Sequence, residues 1–110
     1  MANTLYNKAR ESFLSGGISW SGDTIKAVLV DTGTYTFSQS HQFLSSLSGT
    51  VGTAATLGTK TVTDGVADAA DVTYTAVSGA SVEAIVIYKD TGVAGTSPLI
   101  AYIDTATNLP

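Results

Sequence analysis

Between Ser81 and Thr105 the chain reads SVEAIVIYKDTGVAGTSPLIAYIDT, two apolar runs joined by a Gly-rich stretch. Strict alternation places Val82, Ala84, Val86 and Tyr88 on one side of the first run and Ile85 and Ile87 on the other. In the second run Ile100 and Tyr102 oppose Leu99, Ala101 and Ile103. A hairpin on the surface of a small domain is polar on its outer face. This one is apolar on both, so both faces need a cover, supplied by the chain itself or by another molecule.

The remaining segments limit what the chain has for that purpose. NTLYNKARESFLSGG reads as an amphipathic helix over about residues 4–15, capped by Asn3 or Thr4 and stopped by Gly16 and Gly17. Its apolar stripe is Leu5, Tyr6, Ala9, Phe13 and Leu14, wider than the end of a small sheet needs. Within the stripe Phe13 is the expected core residue, and Tyr6, with its hydroxyl, suits an interface rim. TIKAVLVDT is a strand apolar on both faces at its centre, and SHQFLSSL is expected to form a short helix with Phe43, Leu44 and Leu47 facing inward. In SGTVGTAATLGTKTVTDG threonine recurs at every third position from Thr50 to Thr59, among glycines. Residues 49–58 are expected to be a loop or an extended arm ordered on a partner, followed by a strand over Thr59 to Thr63. VTYTAV alternates as a half-exposed strand. One helix and five or six strands in 110 residues predict a single mainly β domain, a small antiparallel β-sandwich or jelly-roll-like unit with an N-terminal amphipathic helix.

Composition narrows the function. Only 13% of residues are charged, against roughly 25% in an ordinary domain, which favours a chain packed against other protein. Net charge is −4 with five scattered Lys and Arg, so a nucleic-acid partner is not expected. There is no cysteine for disulfides or thiolate metal sites, no run of membrane-spanning length, and no apolar core of a signal peptide in MANTLYNKAR. The chain is expected to be made in the cytoplasm and to stay there, or to leave upon something assembled there.

Chemistry-bearing patterns are weak. His41 is the sole histidine, set among serines, and reads as a solvent-facing or capping residue rather than a catalytic one. Asp64, Asp68 and Asp71 lack the spacing of a calcium loop and read as turn formers. SGGISWSGD has neither nucleotide-binding fingerprint. No catalytic, metal or cofactor site is therefore expected. Trp20, Tyr35 and Phe37 stand in Ser-, Gly- and Thr-rich contexts, where a ring either lids the core, anchors a protein contact or stacks on a sugar. The candidate contact residues are Tyr6, Phe13, Leu14, Trp20, Tyr35 and Phe37.

The opening helix, the DTIKAVLVDT strand, the GTKTVTDGVADAAD turn region and the AIVIYKDTG hairpin ending in PLIAYIDT together resemble the capsid decoration proteins of tailed bacteriophages. These cementing or stapling proteins are best known in short-tailed phages. The resemblance spans nearly the whole chain and implies a non-enzymatic virion protein. Such a protein binds the outer surface of major capsid subunits, with a jelly-roll-like fold and a homodimer or other small oligomer as its working form. Relatives continue past the Tyr102 to Pro110 stretch into a further β segment, which implies an open sheet edge here. The alternative reading is a carbohydrate- or receptor-binding β module of a virion fibre or tail, with Trp20 stacking on sugar.

Overall fold

A computed structural model describes residues 4–64, 66–68, 82 and 84–103 of the chain. Among them the elements run β1 (Thr4–Leu5), α1 (Asn7–Ser15), β2 (Ile25–Val30), β3 (Thr50–Thr56), β4 (Thr61–Thr63), β5 (Val66–Asp68), β6 (Ala84–Lys89) and β7 (Leu99–Ile103). Five strands form one antiparallel sheet in the order β1-β7-β6-β2-β3, and β4 pairs with β5 in a separate hairpin. The mainly β architecture with one short helix near the N-terminus matches the sequence expectation. The VTYTAV strand, Asp71 and the closing DTATNLP lie outside the described residues.

The hairpin of β6 and β7 is central, and its first face is covered from within the chain. Val28 and Val30 of β2, Ala84, Val86 and Tyr88 of β6, and Leu99 and Tyr102 of β7 pack beneath Tyr6, Ala9 and Tyr35, with Phe37, Leu44 and Leu47 at the margin. Each fully buried aliphatic side chain contributes roughly 1.5–3 kcal/mol. Alternation fails at one point in β7. Ile87 pairs with Ala101 but Tyr88 pairs with Leu99, so Ile100 is an extra residue. That bulge sends Ile100 to the second face with Ile18 and Ile25, while Leu99 and Tyr102 share the first.

The helix begins later than its pattern suggests. Thr4 and Leu5 pair with Tyr102 and Ala101 as an edge strand, and the Tyr6 N–H donates to the Ile100 carbonyl at 3.0 Å. Tyr6, extended at ψ 149°, is therefore the N-cap, and the Asn7 N–H is satisfied by the Gln39 carbonyl. The stop is as expected: Gly16 adopts φ 85°, and the Gly17 N–H donates to Ser12 O at 2.7 Å.

Two other local readings change. SHQFLSSL forms only a single 3-10 turn at Leu44–Ser46, since serine competes with its own backbone in a helix interior. Residues 49–58, expected as loop or arm, contain the edge strand β3. Its hold is Val51, buried against Leu29 and Val82, and the five β3 residues from Val51 to Ala55 stand opposite three of β2 from Ala27 to Leu29.

Tyr6 and Tyr35, expected as contact residues, are core residues, 0% and 2% exposed. Their rings join Phe37 and Tyr102 in an aromatic layer, with Phe37 stacked on Tyr102 at 4.4 Å, and their hydroxyls meet at 3.0 Å inside it. A tyrosine goes inside when its hydroxyl finds a partner, which no single-residue pattern reveals. Phe37 is half-buried in the same layer.

Burial raises the ionisation of Tyr6, Tyr35 and Tyr88 above the ordinary tyrosine range. A raised folded-state value means that stability is whole below the unfolded value of ~10 and is lost as pH rises past it. Cooperative unfolding in alkali is therefore expected, with tyrosinate absorbance and loss of the β-sheet circular dichroism rising together. Tyrosine ionisation completed while the sheet signal stays intact would contradict it.

Candidate interaction groove

The second face of the sheet is only partly covered. Ile18, with Trp20 and Leu57 beside it, lies over Ile25 and Ile100, and Val51 and Val82 lie over Leu29. Beside the first of these clusters, over β1, β7 and β6, an open groove of about 660 Å³ remains, walled by Leu5 of β1, Phe13 of α1, Ser19, Trp20 and Ser21, Val62 of β4, Ile87 of β6, and Ile100 and Ala101 of β7. Among the described residues no charged one lines it. Phe13, Leu5 and Val62 remain 36%, 38% and 58% exposed along its walls, and Leu14, next to Phe13 on the helix, is 90% exposed.

One residue ties two walls of the groove together. The Asp23 carboxylate accepts the Ser19 N–H at 2.7 Å and pairs with Lys89 Nζ at 3.3 Å, which closes the turn that carries Trp20. The Ser19 backbone N–H, with Lys89 beside it, holds the Asp23 carboxyl below the usual aspartate range. The same Lys89 also donates to the Gly17 carbonyl at 3.1 Å, and Lys60 Nζ donates to the Asp23 carbonyl just ahead of β4. The Trp20 turn and the β4 strand are thus fastened to one another before anything enters the groove.

Of the six candidate contact residues, the structure brings Phe13 and Trp20 into this groove, leaves Leu14 on the outer surface of the helix, and places Tyr6, Tyr35 and Phe37 in or against the core of the opposite face. The expected positions of Tyr6 and Phe13 are therefore exchanged. A helix lying beside β7 turns Tyr6 and Ala9 toward one face of the sheet and Phe13 toward the other. Leu5, Val62, Ile87, Ile100 and Ala101 were not among the candidates. Val62 carries a legible signal, an isolated aliphatic residue in a threonine-rich strand, and Ile87 belongs to the face of the hairpin that the sequence left uncovered. Ile100 depended on the bulge.

Elsewhere the polar groups form structural arrays. Asp64 opens the β4–β5 turn at φ 49°, whereas Asp68 lies within β5, opposite Thr61. Thr91, Thr96 and Ser97 hydrogen-bond one another in the β6–β7 connection, and Asp90 accepts the Gly92 N–H and pairs with Lys26 at 3.0 Å. His41 is half-buried, with Nδ1 at 2.7 Å from the Tyr35 hydroxyl. Among the described residues no group of three or more His, Asp or Glu is placed to hold a metal ion, and no helix is long and apolar enough to cross a membrane. Comparison with models of protein families, with curated proteins and with solved structures finds no match to the chain.

Proposed function

We propose that this chain is a structural protein of a virion, which decorates and cements an icosahedral capsid by packing against the outer surface of major capsid subunits. The observation that carries the reading is the uncharged groove on the second face of the sheet, walled by Leu5, Phe13, Trp20, Val62, Ile87, Ile100 and Ala101. Apolar surface left open in this way is characteristic of a face completed by another protein. An aromatic ring held at the wall by a pre-fastened turn, as Trp20 is, is the kind of anchor that concentrates binding energy. The low charge of the chain and the resemblance of its helix, hairpin and turn segments to decoration proteins support the same reading. Many copies on a repeating lattice turn a modest contact per copy into a durable clamp through avidity. A sugar-binding role for Trp20 draws less support, because among the described residues the hydroxyl side chains that line the groove with the ring are Ser19 and Ser21.

The test is cosedimentation of the purified chain with heads of the encoding phage, stripped of decoration. Binding at a fixed ratio to major capsid subunits is expected, together with heads that resist rupture on heating. Folded protein that stays in the supernatant at saturating concentration would overturn the reading, and glycan-array binding that vanishes in Trp20→Ala would replace it with the sugar-binding one.

A further inference from the structure

Three groups in the covered face form a continuous hydrogen-bonded chain that runs from the core to the surface. Tyr6 Oη lies 3.0 Å from Tyr35 Oη, and Tyr35 Oη lies 2.7 Å from His41 Nδ1. Counting donors fixes the direction of each bond. Tyr6 is fully buried, and among the described residues the partner of its hydroxyl is Tyr35, so its proton points there. The Tyr35 oxygen then accepts from Tyr6, and its own proton goes to His41 Nδ1. That nitrogen must be an unprotonated acceptor, which places the imidazole proton on Nε2.

We propose that His41 is an acid-sensitive latch, whose protonation reverses this chain and strands the hydroxyl proton of Tyr6 inside the core. A doubly protonated imidazole is a donor at both nitrogens. Nδ1–H would then donate to Tyr35, Tyr35 to Tyr6, and the Tyr6 proton would have no acceptor among the described residues. The latch sits where it matters to the fold. It joins the start of α1 to the connection over residues 31–49, whose Gln39 carbonyl also accepts the Asn7 N–H and whose Phe37 stacks on Tyr102. Loosening it frees the cover of the first face.

Other titratable groups on the adjoining elements do not offer the same switch. Tyr102 shares the aromatic layer, and burial favours the neutral form of Tyr6 and Tyr35 throughout the range in which imidazoles titrate. Asp31 is engaged by the Gly33 N–H and the Thr34 hydroxyl of its own turn. Lys8 pairs with Glu11, and Arg10 donates to Asn7 and Thr4, all at the exposed side of the helix.

His41 is the only histidine, so its imidazole nitrogen-15 resonances are unambiguous. At neutral pH they are expected to show the Nε2–H tautomer, and an Nδ1–H tautomer would overturn the proposal outright. The folding equilibrium constant, measured by urea titration at pH 8 and at pH 5, is expected to fall by roughly 5- to 30-fold in the unaltered protein, the lower figure being the factor for one buried donor left unsatisfied and the upper the limit that a single unfolded-chain imidazole sets at pH 5. In His41→Gln and in Tyr35→Phe the two values should agree within about threefold, whatever the cost of each substitution at pH 8. A loss of equal size in His41→Gln, or no loss in the unaltered protein, would likewise overturn it. None of these readouts involves a capsid, so the latch and the decoration reading stand or fall separately.

Discussion

Tyr6→Ala is expected to unfold the protein, and Phe13→Ala to leave it folded. Tyr6 is fully buried, caps the helix through its backbone, and packs its ring on Phe37 at 5.3 Å. Removing a buried aromatic side chain costs about 3–5 kcal/mol. Here the truncation also removes the hydrogen bond that Tyr6 gives the Tyr35 oxygen, leaving that hydroxyl only its bond to His41. Against a total of about 5–15 kcal/mol for a domain, little stability remains. Phe13, with a third of its surface in water at the groove wall, contributes much less to the fold. Its truncation should shift the urea midpoint only slightly. If the groove is the attachment face, the same truncation weakens attachment to heads by about 2 kcal/mol or more, a thirtyfold loss of affinity. Tyr6→Ala that folds as firmly as the parent would refute the assignment of core and surface. Phe13→Ala that binds heads undiminished would move the contact away from the groove.

A comparable loss is expected from a single methyl group at Gly49. This residue has φ 67°, in the left-handed region, where a side chain costs about 1–2 kcal/mol. A Cβ there would lie 2.7 Å from Thr34 Cβ and 3.0 Å from the Asp31 carbonyl oxygen. That oxygen accepts the N–H groups of Thr34 and Tyr35, and the Asp31 N–H in turn donates to the Gly49 carbonyl at 2.9 Å. The junction between β2, the covering connection and β3 cannot move aside without breaking these bonds, and overpacking of this kind adds roughly 1–3 kcal/mol. Gly49→Ala should therefore lower stability by about 2–5 kcal/mol in denaturant titration. Gly58→Ala is the matched control, since a Cβ there meets nothing within 4 Å, and its stability should be unchanged or slightly higher. Equal midpoints for the two variants would show that the Gly49 junction yields.

The legible part of this protein was its strands and the problem they pose. Short apolar runs rich in β-branched and aromatic residues at Ile25–Val30, Ala84–Lys89 and Leu99–Ile103 fold as strands, as such residues favour, and Gly16 ends the helix because glycine takes the left-handed cap cheaply. The sequence also determined that the hairpin would be apolar on both faces. Which side chains cover which face was decided by contacts distant in sequence. The bulge at Ile100 reversed the alternation of β7, because pairing with β6 sets which way each residue points. Tyr6 went inside because Tyr35, 29 residues away, supplies its hydroxyl with a partner. Phe13 came out because a helix lying along β7 turns one stripe toward both faces of the sheet. Local pattern reports how much apolar surface an element carries, and only the packed neighbours decide where each part of it goes and which part is left for another molecule.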